Sequence, residues 1–248
     1  MQLDQNLYDI FQDKARQTTI TTLNLGLAYT AVVTSDGGIG VAHTCLEQSG
    51  PCGLAHENRI YEGHCAADLL PCILEADPLK RSMALALINA LNHSAAVALP
   101  EDTTTRLFEH LKIGHGTRVA MVGYFGPLMP VFQEKGAVVE AIDRGRAIGD
   151  PAAFQAKLHD WADVLLLTST SILNQSTEEI LGHTSDTVRT VILGPSTPMV
   201  PDAFASLPVN LLAGTVPLDS KGVLQCIRHG AGTRSIHKFS RKAFTELG

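Results

Sequence analysis

The stretch RVAMVGYFGPLMPVFQEKGAVVEAI, residues 118–142, decides the fold class of this chain. It places a short apolar segment, a segment with helical spacing and a second short apolar segment in direct succession. Short, continuously apolar runs between helices are typical of strands that are covered on both faces of a parallel sheet. The sequence therefore predicts a strand–helix–strand unit here.

The same alternation continues toward the end of the chain. Strands are predicted at 118–124, 137–142, 163–169, 190–194 and 209–214, and helical crossovers at 128–135, 151–160, 176–182, 201–206 and 218–228. Right-handed crossovers make a Rossmann-like, doubly wound parallel sheet the expected arrangement. Ser176 and Glu179 have the spacing of a capping box at the start of the third crossover.

The first hundred residues follow a different pattern. Residues 4–17 read as an amphipathic helix, and the β-rich segments 23–33 and 39–42 are separated by a glycine turn, which predicts two strands. Residues 45–65 show no period and are predicted to form a loop with short helical pieces. The change of pattern predicts an α+β domain at 1–100 and a second domain at 101–248.

A strong helix begins at Asp77-Pro78, where proline suits the first turn. The sequence that follows, SMALALINALN, is apolar nearly all round. We therefore expect this helix to be buried between layers. His93 lies at its end, where it could face the crevice as an acid or base or hydrogen-bond the last carbonyls of the helix.

Composition excludes several classes of function. The chain has 248 residues, 45% of them hydrophobic, and a net charge of −6 without a run of either sign. This pattern predicts no nucleic-acid partner. No window reaches the roughly 20 apolar residues of a membrane span. Five cysteines without a secretion signal suit reduced thiols. We therefore expect a cytoplasmic protein.

Polar and glycine-rich segments follow the predicted strands. In open parallel sheets, ligands bind in the crevice outside the carboxyl ends of the strands, so these loops predict a small-molecule site. The first loop lacks the GxGxxG pattern, so a dinucleotide cofactor is not required and the cofactor stays open. The candidate ligand-binding residues of the loops are Gly123, Tyr124, Phe125, Asp143, Thr168, Ser169, Thr170, Asn174, Gly194, Pro195, Ser196 and Thr197.

Several of these residues have a simpler explanation. Asp143 stands where an acid would hold a ribose or another diol, but a carboxylate beside Arg144 also suits a solvated turn. The hydroxyls of 168–171 suit either a polar ligand or the capping of a helix. Residues 229–234 could close over the pocket or form an ordinary turn.

Cysteines and histidines gather in segment 43–72, which contains residue types that bind zinc. The spacing of Cys45, Cys52, Cys65 and Cys72 matches no closed zinc module, and Cys72 lies in an apolar run. Structural or free thiols are therefore favoured over a metal site that also uses His43, His56 and His64, and no residue is assigned as a metal ligand.

Four segments resemble a known family, the one proposed to act in heavy-metal chelation. They are DPLKRSMALALINALN, VAMVGYFGPLMPVF, ADVLLLTSTSILNQSTEEIL and VILGPSTPM, and the segments LLAG and GAGTRS follow in the same order. The resemblance implies an enolase N-terminal-like domain before a Rossmann-like domain, with the pocket between them. The positions that match the family are Asn89, Gly123, Phe125, Thr168, Thr170, Asn174, Gly194, Ser196 and Thr197.

The resemblance also implies a function. Members have been suggested to act on pterin-, flavin- or siderophore-like molecules linked to metal handling, so the expected partner is a small-molecule ligand such as a metallophore. Two alternatives stay open: a non-catalytic metal-binding or delivery protein that uses segment 43–72, and a methyltransferase-like protein that uses S-adenosylmethionine. The apolar hairpin could also pair with a second copy, which predicts a homodimer.

Overall fold

The structure is a computed structural model that describes residues 1–46, 60–101 and 104–247. It contains a three-stranded antiparallel sheet followed by a six-stranded, mostly parallel sheet, both packed with helices. The predicted fold class, a small α+β unit before a larger α/β unit, is confirmed. The domain boundary near residue 100 stays a prediction.

The first unit begins with an amphipathic helix that packs its apolar side on the core. Its elements are α1 (Gln2–Arg16), β1 (Ile20–Leu25), β2 (Tyr29–Thr34), β3 (Ile39–His43), 3-10 turns at Ala66–Asp68 and Leu70–Leu74, α2 (Pro78–Leu91) and α3 (His93–Ala98). The segment 23–33, predicted as one strand, is in fact parts of two strands. The chain reverses at Gly26, whose N–H donates to the Tyr29 carbonyl at 3.0 Å.

Helix α2 is buried on nearly every side, as its composition predicts. Asp77 caps it by accepting hydrogen bonds from the N–H groups of Leu79 and Lys80. The helix lies directly on the antiparallel sheet at Gly40. A Cβ at that position would stand 2.2 Å from the Ala86 carbonyl oxygen and 2.2 Å from the Ala90 nitrogen. The missing side chain therefore sets the distance between helix and sheet.

The second unit alternates strands and helices. Its strands are β4 (Arg118–Val122), β5 (Val138–Ile142), β6 (Val164–Thr168), β7 (Arg189–Gly194), β8 (Leu211–Pro217) and β9 (Ser240–Glu246). Its helices are α4 (Thr104–His110), α5 (Met129–Lys135), α6 (Pro151–Asp160), α7 (Thr170–Leu173), α8 (Thr177–Gly182), α9 (Ser220–Arg228) and α10 (Thr233–Ile236). Further 3-10 turns lie at Gly126–Leu128, Arg144–Arg146, Pro201–Phe204 and His237–Phe239.

The strand order of the larger sheet is β5-β4-β6-β7-β8-β9. The first five strands are parallel, as predicted, and β9 is antiparallel to β8. Two predictions need correction: β9 was not expected, and the crossover at 201–206 is a 3-10 turn instead of a helix. The strand order reverses between β4 and β6, since β5 is added on one side of β4 and β6 on the other. An open sheet of this type binds ligands beyond the strand ends at that reversal of order.

A fully buried arginine connects the two units. Arg81 of α2 forms a bidentate ion pair with Asp4 of α1, at 2.7 and 3.1 Å, and both side chains are at most 1% exposed. The same guanidinium donates to the carbonyls of Ile73, Ile172 and Leu173. Because Ile172 and Leu173 belong to α7, Arg81 fixes the loop that follows β6 to the first unit.

Candidate functional site

A cavity of about 1260 Å³ lies at the carboxyl ends of the parallel strands. Tyr29 and His43 of the first unit also line it, so the wall combines the two units. The sequence-predicted residues that it brings together are Gly123, Tyr124, Phe125, Asp143, Thr168, Ser169, Thr170, Asn174, Gly194, Pro195 and Ser196. Asn89 and Thr197 are not among its lining residues.

The loops after β4 and β6 touch where the strand order reverses. Gly123 has a φ of +84°, a conformation that side chains disfavour. A Cβ on Gly123 would stand 2.8 Å from the Cβ of Thr168. The glycine therefore allows the two loops to meet at the floor of the cavity.

Hydroxyl groups dominate the loop after β6. The Oγ1 atoms of Thr168 and Thr170 lie 3.0 Å apart, and both residues line the cavity. The backbone N–H of Ser169 donates to the Leu193 carbonyl at 3.0 Å, which ties this loop to β7. A hydroxyl donates one hydrogen and accepts at two lone pairs, so this pair retains capacity for a polar ligand.

The capping box predicted for Ser176 and Glu179 is not formed. The Oγ of Ser176 donates instead to Oδ1 of Asn174 at 2.7 Å, and no side chain caps α8. Ser176 has helical backbone angles, unlike the extended conformation usual at an N-cap. Asn174 also lines the cavity, and its side-chain oxygen Oδ1 holds Ser176 at the start of α8.

Asp143 serves the backbone around it. Its carboxylate accepts the N–H of Tyr124 at 2.9 Å and the N–H of Arg146 at 3.1 Å, and the Arg146 guanidinium lies 3.6 Å away. These contacts join the loops after β4 and β5. Asp143 thus makes the contacts expected of a carboxylate in a turn, and the binding of a diol by Asp143 stays a prediction.

The loop after β7 is held by the first unit. Oγ of Ser196 accepts the N–H of His43 at 2.8 Å, and the Asn89 amide donates to the carbonyls of Val41 and Ser196. Asn89 therefore supports the wall from behind. Thr197 is 2% exposed, and within the described part of the chain its hydroxyl has no hydrogen-bond partner.

Basic and imidazole side chains complete the lining, and sequence reasoning predicted none of them as a ligand contact except Arg234, through the alternative that segment 229–234 closes over the pocket. They are Arg144, Arg146, Arg234, Lys242, His43, His183 and His237. Most lie outside the turns directly after the parallel strands. Lys242 belongs to β9, a strand that the local sequence does not predict, so the sequence does not indicate its place in the wall.

His237 lies among these groups, with Nε2 3.1 Å from Oγ1 of Thr215. Burial lowers the pKa of His237 below its ordinary value of 6.5, and the positive charge of Lys242 lowers it further. Substituting Lys242→Gln should raise the pKa of His237 but leave it below 6.5, because the larger cause, burial, remains.

An NMR titration of the imidazole C–H signals tests this prediction, with His237→Gln used to assign the resonance. Lys135→Gln, on the exposed side of α5, is the control and should not move the pKa. An unchanged pKa of His237 in Lys242→Gln would contradict the placement of the two side chains.

The cysteine- and histidine-rich segment is only partly described, and Cys52 and His56 lie outside the described residues. Sγ of Cys65 donates to the Ala15 carbonyl, and burial raises the pKa of Cys72 to about 11. Within 1–46, 60–101 and 104–247, no three histidine, cysteine or acidic residues form a group that could hold a metal. The metal-delivery alternative stays a prediction.

Two further expectations concern His93 and the membrane. Nε2 of His93 lies 2.7 Å from the Pro217 carbonyl oxygen of β8, so His93 neither caps α2 nor lines the cavity. Among the described helices, none is both long and apolar enough to cross a bilayer. Cytoplasmic location and homodimer formation stay predictions.

Comparison with known proteins identifies the family and the fold. A protein of unknown function from Pyrococcus horikoshii, of the DUF364 family, superposes with a TM-score of 0.81 at 20% identity over 100% of both chains. A second DUF364 protein of unknown function, from Desulfitobacterium hafniense, gives a TM-score of 0.75 at 16% identity over 98% of this chain and 99% of that one. At these identities the likeness shows the fold alone.

A search of curated proteins gives no significant match. Two family models do match, and both carry the description "Putative heavy-metal chelation". One, DUF4213, covers residues 8–92, and the other, DUF364, covers residues 106–246, which is more than half of the chain. The chain therefore belongs to the DUF364 family, described as "Putative heavy-metal chelation".

Proposed function

We propose that the protein binds a pterin-, flavin- or siderophore-like compound in the cavity between its two units, as part of heavy-metal chelation or metal homeostasis. The observation that carries the proposal is the cavity itself, which lies beyond the strand ends at the reversal of strand order. The cavity volume exceeds the 300–1,000 Å³ of ordinary ligand sites, so the cavity has room for a pterin-, flavin- or siderophore-like compound.

The chemistry of the wall supports such a ligand. Apolar and aromatic side chains, among them Tyr124, Phe125 and Phe154, offer surfaces for a ring system. The hydroxyls of Thr168 and Thr170 supply directional hydrogen bonds beside them. Aromatic surfaces combined with converging hydrogen-bonding groups are usual at small-molecule sites.

Removal of the paired hydroxyls tests the proposal. We expect wild-type protein to bind at least one of riboflavin, pterin and a ferric trihydroxamate saturably in calorimetric titrations. Thr168→Val with Thr170→Val keeps the shape of both side chains and should weaken that binding by about tenfold, since two hydrogen bonds to neutral groups are lost.

The matched control is Ser185→Ala with Thr187→Val. These hydroxyls also form a pair, 2.9 Å apart, but they lie before β7 at the opposite end of the sheet and outside this cavity. Their removal should leave the affinity unchanged. Absence of binding of all three probes, or equal weakening in both pairs of variants, would refute the proposal.

A further inference from the structure

One end of the cavity lies beside β8 and β9, at the edge of the sheet opposite β5. It is lined by Thr215 and Lys242 on these strands and by Thr233, Arg234 and His237 from the segment between them. Five strand spacings separate β5 from β9, or about 24 Å at 4.8 Å each. This end is therefore distinct from the loops after β4 and β5.

Positive charge is unbalanced at this end. Arg234 and Lys242 are exposed, and neither forms an ion pair within the described part of the chain. The carboxylates that line the cavity, Asp143 and Glu179, belong to the segments after β5 and β6. In a chain with a net charge of −6, two cations that line the cavity without an ion-pair partner, at an end lined by no carboxylate among the residues described, make a local site for an anion.

Hydroxyl and imidazole groups line the cavity together with the two cations. Oγ1 of Thr215 lies 3.1 Å from Nε2 of His237, and the Tyr29 hydroxyl lies 2.6 Å from Oγ1 of Thr233. The Tyr29 contact joins the first unit to the segment that carries Arg234. These hydroxyls and the imidazole can orient a bound group without adding negative charge.

We propose that this end of the cavity is an anion subsite, in which Arg234 and Lys242 bind a carboxylate or phosphate group of the ligand. The inference rests on the proposed function and deepens it, because it makes the ligand an acidic compound. At the other end, Arg144 and Arg146 share their turn with the Asp143 carboxylate, which pairs with Arg146, and Arg146 also lies over the Tyr124 ring at 5.5 Å. The pair near β9 therefore has the greater capacity for an added negative charge.

Calorimetric titration with citrate and, separately, with pyrophosphate tests the subsite. We expect saturable binding of at least one of them, and the preferred probe distinguishes a carboxylate from a phosphate site. Arg234→Gln with Lys242→Gln should weaken that binding by at least about tenfold, because charge-assisted hydrogen bonds are lost. The control, Arg16→Gln with Lys135→Gln, removes the same charge from α1 and α5 and should change affinity less than about twofold, since distant exposed charges are screened.

His237 provides a second, local measurement. A bound anion favours the protonated imidazole, so saturating citrate or pyrophosphate should raise the pKa of His237 in an NMR titration. No saturable binding of either anion, or equal weakening in both double variants, would overturn the subsite. A pKa of His237 that stays fixed on anion binding would also overturn it.

The outcomes separate this inference from the proposed function. Binding of riboflavin or pterin that depends on Thr168 and Thr170, without binding of either anion, would leave the cavity function standing and remove the subsite. Anion binding that depends on Arg234 and Lys242, without binding of riboflavin, pterin or the ferric trihydroxamate, would keep the subsite and refute the proposed ligand class.

Discussion

Replacement of Arg81 by methionine should lower the free energy of unfolding by about 3–5 kcal/mol, the cost of breaking a buried ion pair from one side. The substitution leaves the Asp4 carboxylate buried without its cation. It also removes the donor from the carbonyls of Ile73, Ile172 and Leu173. Equilibrium urea denaturation measures the loss.

Two comparisons make the Arg81 prediction specific. Asp4→Leu with Arg81→Met should be more stable than Arg81→Met alone, because no unpaired carboxylate remains buried. Arg118→Gln breaks a pair with Asp163 whose side chains are 43% and 36% exposed, and should cost less than about 1 kcal/mol. Equal losses in the free energy of unfolding from Arg81→Met and Arg118→Gln would show that burial does not determine the cost of breaking these ion pairs.

Substitution of Gly40 by alanine should also destabilise the protein strongly, by about 3 kcal/mol, the upper end of the usual cost of overpacking. The new methyl group would meet the Ala86 carbonyl and the Ala90 nitrogen at 2.2 Å. Both are backbone atoms of a buried helix, so they cannot rotate away as a side chain would. Helix α2 must then move off the sheet.

Thermal and urea denaturation of Gly40→Ala test this prediction against Gly114→Ala. A Cβ on Gly114 has no neighbour within 4 Å, so the control should change stability by no more than about 0.5 kcal/mol. A Gly40→Ala protein as stable as the wild type would show that α2 does not contact the sheet at this position.

The parallel strands and α2 were predictable because buried elements are apolar along most of their length. Runs such as VLLLT at β6 are apolar without interruption, since both faces are covered. β9, SRKAFTE, lies at the sheet edge and mixes charged with apolar residues. It therefore has no continuous apolar run that would predict a buried strand. The break between β1 and β2 was missed for another reason, because the strand propensity of 23–33 outweighed a single glycine.

The site was predictable to the extent that it depends on strand ends. The loops with Gly123, Thr168 and Gly194 converge because parallel strands end at the same edge of the sheet. Asn89 was expected from the family resemblance, yet its amide faces backbone carbonyls behind the wall. Lys242 joins the cavity through the antiparallel strand β9, which no local pattern near that residue indicates. Arg234 lies in segment 229–234, for which closure over the pocket was one of two predictions.

The Arg81 contacts have a consequence for how such chains can be recombined. The guanidinium lies in the segment matched by one family model, while two of its acceptors lie in the segment matched by the other. A chimera that joins the front of this chain to the back of a distant homologue would have to reproduce the α7 carbonyls at the same depth. We therefore expect the two segments to be inherited together as one unit.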